Sequence, residues 1–138
     1  MSTKAPCHTV PLRVSWENTD SAGYIHNSVV FRWFEIGELE WFRALGIPWT
    51  AFPDHGFPRI HVEADFRVPL YFEDACVLET RIVRVRAAGF SLAHTIRKDE
   101  TTAVTGRIDV CCVSARTGRA CPLPDAMRTT LGELLPCE

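Results

Sequence analysis

Hydrophobic and polar positions divide the chain into a helical stretch followed by a stranded one. Between residues 27 and 45 there is no proline and only one glycine, Gly37. Val30, Trp33, Phe34, Gly37, Trp41 and Ala44 recur at intervals of three and four, which predicts a helix. Phe31, Ile36, Leu39 and Phe42 widen its apolar surface, so the helix is expected to be enclosed on more than one side. Asn27 or Ser28 is placed to cap its start, and Gly46 followed by Pro48 to end it. Residues 10–16 upstream read as a strand. Residues 47–58, with three prolines and Gly56, read as a loop holding at most one short turn.

Downstream the period changes to two. Ile60, Val62, Ala64, Phe66 and Val68 alternate with His61, Glu63, Asp65 and Arg67. Residues 69–74 are a turn region, 76–86 a Val- and Ile-rich strand, and 87–89 the turn out of it. Phe90, Leu92, His94 and Ile96 alternate again, 98–100 form a polar turn, and 102–114 read as the last strand. After a turn at 116–119 and the break at Pro122 and Pro124, a short amphipathic helix is expected over 125–135. The order is strand, long helix, then four strands on short turns, and such turns imply antiparallel neighbours. A five-stranded antiparallel sheet must cover its apolar face, and only the long helix is large enough. The fold class is therefore α+β in one domain.

Composition supports a packed domain: with 138 residues, 46% apolar, four Trp and eight Phe, the chain can bury a core and does not read as disordered. A formal net charge of −2 gives no electrostatic footprint for nucleic acid or an anionic membrane. No apolar run reaches the roughly 18 residues of a membrane span. The first residues lack the apolar core of a signal peptide, so the cytoplasm is the expected compartment. Of the six cysteines, none form a C-x-x-C pair and no histidine stands at zinc-finger spacing. No metal is expected, and Cys111 and Cys112 read as core or interface thiols.

Candidate chemistry gathers before the long helix, in Trp16-Glu17-Asn18-Thr19-Asp20-Ser21-Ala22-Gly23-Tyr24-Ile25-His26-Asn27. Asp20 is a candidate general base or nucleophile, and its plainer reading is a turn residue. Gly23 allows a tight turn and close approach to a ligand. Tyr24 and Ser28 flank the same turn and helix tip, where a substrate would lie. Backbone N–H groups near Asn27 and Ser28 are candidate oxyanion donors at the positive end of the helix. Asn27 serves either as a cap or as a side-chain donor, and His26 either as a proton carrier or as a structural loop residue. Glu35, two turns beyond Asn27, needs a partner such as Arg32 or Arg43, or lines a pocket. His61 lines a cleft if a second subunit meets that sheet edge, and otherwise sits on a solvated face.

The segment Asn18-Thr19-Asp20-Ser21-Ala22-Gly23-Tyr24-Ile25-His26-Asn27, followed by Phe31-Arg32-Trp33-Phe34-Glu35, resembles the hotdog-fold acyl-thioester hydrolases of the 4-hydroxybenzoyl-CoA thioesterase family. The likeness in length and strand order runs over nearly the whole chain. The family's first acidic position falls on Asn18, a departure, or on Glu17 if the strand end slips by one, and a second departure is Val30, where many relatives have tyrosine. The resemblance implies a sheet wrapped around one central helix and hydrolysis of an acyl-CoA or acyl-carrier-protein thioester. It places Asp20 at the family's catalytic position. It also implies no metal and no cofactor beyond the coenzyme A of the substrate. Subunits would pair through their sheets as a homodimer or homotetramer, with substrate between them, and Arg84, Arg86, Arg97 or Arg119 would meet its phosphates. The alternatives are a hotdog hydratase or dehydratase, against which the missing Asn-Pro loop weighs, and a non-catalytic acyl-thioester binder.

Overall fold

The computed structural model describes residues 6–135; Cys137 and the residues of the start expected to lack a signal peptide, 1–5, lie outside it. In chain order the elements are β1 (His8–Arg13), α1 (Asn27–Ala44), β2 (His55–Gly56), β3 (Arg59–Phe66), β4 (Ala75–Arg86), β5 (Gly89–Lys98), β6 (Thr101–Cys111), β7 (Val113–Ser114) and α2 (Asp125–Glu133). Five strands form one antiparallel sheet in the order β1-β4-β5-β6-β3, and β2 pairs separately with β7.

Tight turns join β4 to β5 and β5 to β6, as the alternation implies. The link from β3 to β4 is different and corrects the expectation that every short turn joins sheet neighbours. β3 is an edge strand paired with β6, whereas β4 lies beyond β5, beside β1. Residues 67–74 therefore cross the end of the sheet. Three strand spacings amount to about 14 Å, and eight extended residues reach about 26 Å, so the short link suffices. Its first residues stay on β6, where the Arg67 and Val68 N–H groups donate to the Ala103 carbonyl at 2.8 and 3.2 Å, and the rest bonds to the loop before α1. The Ile25 N–H donates to the Leu70 carbonyl at 2.7 Å, and Tyr24 bridges Tyr71.

Helix α1 lies on the inner face of the sheet and buries Val30, Trp33, Phe34, Gly37, Glu38, Trp41 and Phe42. These pack on Leu78 and Ile82 of β4, Leu92 and Ile96 of β5, and Ile108 and Val110 of β6. Two glycines permit the contact. A Cβ on Gly37 would stand 2.6 Å from the Thr80 hydroxyl and 2.7 Å from Leu78 Cδ2, and one on Gly106 would enter the Phe34 ring. Phe34 also stacks on His94 at 4.4 Å. The helix ends in a Schellman motif: Gly46 adopts φ +78°, its N–H donates to Arg43, and the Ile47 N–H reaches Phe42.

Several expectations shift. The first strand stops at Arg13, and Trp16 begins a 3-10 turn, Trp16–Asn18. The expected loop at 47–58 contains a 3-10 turn, Trp49–Ala51, and also strand β2. The last strand breaks at Cys112, because β7 leaves the main sheet to pair with β2. The helix is covered by the sheet on one side only: Ile36 and Leu39 remain 38% exposed, with no second layer over them among the described residues. Among the described residues Cys7, Cys76, Cys111, Cys112 and Cys121 are free thiols.

Candidate active site

The loop that feeds α1 is built around Asp20. Its carbonyl accepts the Gly23 N–H at 3.0 Å, and its own N–H donates to Tyr24 at 2.8 Å. Gly23 closes this turn at φ +85°, a conformation that costs glycine nothing. The Asp20 side chain takes part: Oδ1 accepts the N–H of Ala22 at 2.9 Å and of Tyr24 at 3.3 Å. Oδ2 has no bonding partner among the described residues. The carboxylate is thus fixed by one oxygen and presents the other. Asn18, at the position where the family resemblance places an acid, has a local task. Its Oδ1 accepts both the N–H and the hydroxyl of Ser15, at 2.8 and 2.7 Å, and its carbonyl accepts the His26 N–H at 2.8 Å.

His26, not Asn27 or Ser28, is the N-cap of α1, which corrects the cap assignment. Its Nδ1 accepts the Ser28 N–H at 3.1 Å and lies 2.7 Å from the Ser28 hydroxyl. Accepting there requires an unprotonated Nδ1, so the neutral ring carries its proton on Nε2. The Ser28 N–H is thereby used up as an oxyanion donor. The Asn27 N–H, in the first turn, has no acceptor among the described residues and keeps that capacity.

Asp20, Tyr24, His26 and Asn27 line one cleft of about 520 Å³, whose other wall is the end of β3 and the crossover: Phe66, Arg67, Val68, Pro69 and Leu70. Gly23 shapes the turn without lining the cleft, and Ser28 acts through the cap. Glu35 stands apart, half-exposed, 3.9 Å from Arg32. His61 points to the sheet face away from α1, since it pairs with Asp109, and it lies 3.3 Å from Glu63. Of the arginines, Arg86 is engaged with Ser91 and Phe90, and Arg97 with Glu79. Arg67, on the cleft wall, was placed by its alternation merely on a polar strand face.

The carboxylate buried in α1 is Glu38 rather than Glu35. Its Oε2 lies 3.1 Å from the Arg59 guanidinium and 3.9 Å from His94 Nε2. Neither Glu38 oxygen has a well-aligned hydrogen bond, nor does His94 Nε2. Burial pushes the Glu38 carboxyl up to about 7 against the pull of Arg59. Burial, helped by the Arg59 charge, pushes His94 down to about 3, and Thr80 holds its Nδ1 at 2.9 Å. The sequence did carry a sign of this, because Glu38 falls four residues from both Phe34 and Phe42, on the buried stripe. This cluster does not line the cleft, and its role is in the core.

Comparison with known proteins identifies the family. The model of the thioesterase-like superfamily matches residues 14–131. The chain is 30% identical over 124 residues to the 1,4-dihydroxy-2-naphthoyl-CoA hydrolase of Prochlorococcus marinus (strain MIT 9313), covering 83% of this chain and 82% of that one. It is 26% identical over 144 residues to the enzyme of the same name from Synechococcus sp. (strain CC9902), covering 95% and 97%. The crystal structure of a 1,4-dihydroxy-2-naphthoyl-CoA thioesterase from Synechocystis superposes with a TM-score of 0.86 at 19% identity, over 94% of this chain and 98% of that one. The chain belongs to the thioesterase-like superfamily and is a thioester hydrolase.

Proposed function

We propose that the protein hydrolyses acyl-CoA thioesters with a bulky aromatic acyl group, using Asp20 as the base or nucleophile and the Asn27 N–H as oxyanion donor. The observation that carries this is the Asp20 carboxylate, tied through Oδ1 and free at Oδ2, in one cleft with the uncapped amide of the α1 tip. The thioester carbonyl oxygen would point at that amide, so that charge developing on it meets a donor already oriented by the helix. Oδ2 would then attack the carbonyl carbon or take the proton of an attacking water. The coenzyme A thiolate leaves readily, its pKa being that of an ordinary thiol. His26 orients the donor by capping α1. The apolar cleft wall of Tyr24, Phe66, Pro69 and Leu70 and the names of the relatives support an aromatic acyl group. Arg67, on the cleft wall, is a further candidate to meet the nucleotide phosphates, beside Arg84 and Arg119, which unlike Arg86 and Arg97 have no side-chain partner among the described residues.

The resemblance further supports a hotdog fold assembled as a homodimer or homotetramer. Edge strand β3 leaves Ile60, Val62 and Phe66 at 66, 47 and 50% exposure, and Phe66 also lines the cleft. A second subunit on that edge would close the open side of the site. Acyl-carrier-protein thioesters remain a second thiol source for the same chemistry.

Thiol release from a panel of aryl-CoA, alkyl-CoA and carrier-protein thioesters tests the reading. Asp20→Asn keeps the Oδ1 acceptor of the turn and removes only the charge. It should fold normally and lose about 10²- to 10⁴-fold in kcat, the usual worth of a positioned base. Near-full turnover by Asp20→Asn would overturn the assignment.

A further inference from the structure

Past the end of β6, eight residues along the chain from the cleft-lining Val104, three potential metal ligands converge. Cys112 sits at the break between β6 and β7, His55 on β2, and Cys121 just after the Val113–Ala120 bridge. The two sulfurs are 3.8 Å apart, and all three ligand atoms lie within 4.8 Å of one another. We propose that His55, Cys112 and Cys121 bind a thiophilic divalent cation, of which zinc fits best.

Three observations carry this. The first is metric: two thiolates at about 2.3 Å from a tetrahedral zinc stand about 3.8 Å apart, the separation seen between these sulfurs. The second is an orphan. His55 Nδ1 is buried and has no hydrogen-bond partner, an arrangement that costs stability unless something binds there. The third is preorganisation. The Cys121 N–H donates to the Cys112 carbonyl at 3.0 Å, and β2 pairs with β7 so that His55 faces Ser114, two residues from Cys112. Three segments are thus pinned by backbone bonds with their ligand atoms facing inward. Cys111 is turned away, its thiol on the Cys112 carbonyl at 3.6 Å, so three protein ligands leave one tetrahedral position for water.

A Cys112–Cys121 disulfide would use the same sulfurs but leave the imidazole nitrogen unpaired, so the cation accounts for more of the site. Cysteine ligates as the thiolate, so binding must expel protons and should tighten as pH rises. The cation takes no part in hydrolysis. Val104 lines the cleft, and eight residues of extended chain separate it from Cys112, about 26 Å. Its effect is to staple the β2–β7 pair beside the Trp49, Phe57 and Phe90 aromatic cluster.

The test uses the full chain, stripped with chelator under reductant and titrated with Co²⁺ and then Zn²⁺. Stoichiometric thiolate-to-cobalt charge-transfer bands, bleached by Zn²⁺, and a Zn²⁺-dependent rise in Tm are expected. Cys121→Ser and His55→Ala, both at partly buried positions, should weaken or abolish the bands and the Tm rise while thiol release stays at the wild-type rate. Absence of charge-transfer bands in the wild type, or unchanged bands in Cys121→Ser, would overturn the proposal. So would a Cys112–Cys121 disulfide that forms in preference to the zinc complex when both are allowed, read as a mass loss on the intact chain.

Discussion

Replacing Glu38 by glutamine should remove a pH dependence of stability that the fold imposes. The carboxyl sits between α1 and the sheet, faced by Arg59 of β3 and His94 of β5, with Glu35 on its own helix. Its titration moves from 4.5 in an open chain to about 7 in the fold. The folded state therefore holds a proton that the unfolded state has released, and stability falls as pH rises through that window. The loss amounts to about 3 kcal/mol once the group is fully ionised, a large fraction of a small domain's total. His94 acts with the opposite sign. Held down to about 3, it contributes stability that is complete above 6.5 and lost as pH falls toward 3. The two effects offset one another between 4.5 and 6.5, and above 6.5 only Glu38 of this cluster still titrates. Urea denaturation from pH 5 to 8.5 measures it. The stability difference, wild type minus Glu38→Gln, should decline by about 2.5 kcal/mol across that range, the rest being already lost below pH 5. A difference that stays flat, or grows with pH, would refute the account of a carboxyl kept protonated by burial.

Other consequences are equally accessible. Gly37→Ala gains up to about 1 kcal/mol of helix propensity but drives a methyl into Thr80 and Leu78, so a net loss of about 1–3 kcal/mol in urea is expected; net stabilisation would contradict the close approach of α1 to β4. His26→Ala should cost about 1 kcal/mol by removing the cap, and His26→Asn should restore most of it; equal Tm values for the two variants would disprove capping by the ring. Gly23→Ala meets no atom but must hold φ at +85°, so about 1 kcal/mol of strain should appear with a lower kcat, and an unchanged kcat would show that the turn tolerates reshaping.

The elements that make one face of a regular period were legible. Three-and-four spacing located α1 to within a residue at its C-terminus, and alternation located β3, β5 and the shared core. What alternation cannot specify is which strands are neighbours. The pattern of β3 reads identically whether it pairs with β4 or with β6, because register and partner are set by contacts distant in sequence. The decisive contacts are backbone ones, from Leu70 and Tyr71 to the loop before α1, and backbone groups leave no trace in side-chain patterning. Strand β2 escaped for a related reason: two residues between prolines are too few to show any period.

The same limit explains the site. Asp20, Gly23, His26 and Asn27 stand within eight positions of one another, so a local motif could reveal them. Their opposite wall comes from residues 66–70, about forty positions later, and reaches them only through the crossover that sequence reading took for an ordinary turn. Alternation accordingly puts Arg67 on a polar strand face and gives no sign that it stands at the cleft. Glu38 is a different case: it falls four residues from both Phe34 and Phe42, so its register on the apolar stripe buries it despite its charge. The cleft therefore owes half its wall to a chain path rather than to a motif. Loosening the Ile25–Leu70 bond should separate Asp20 from the wall facing it without disturbing the Asp20 turn itself.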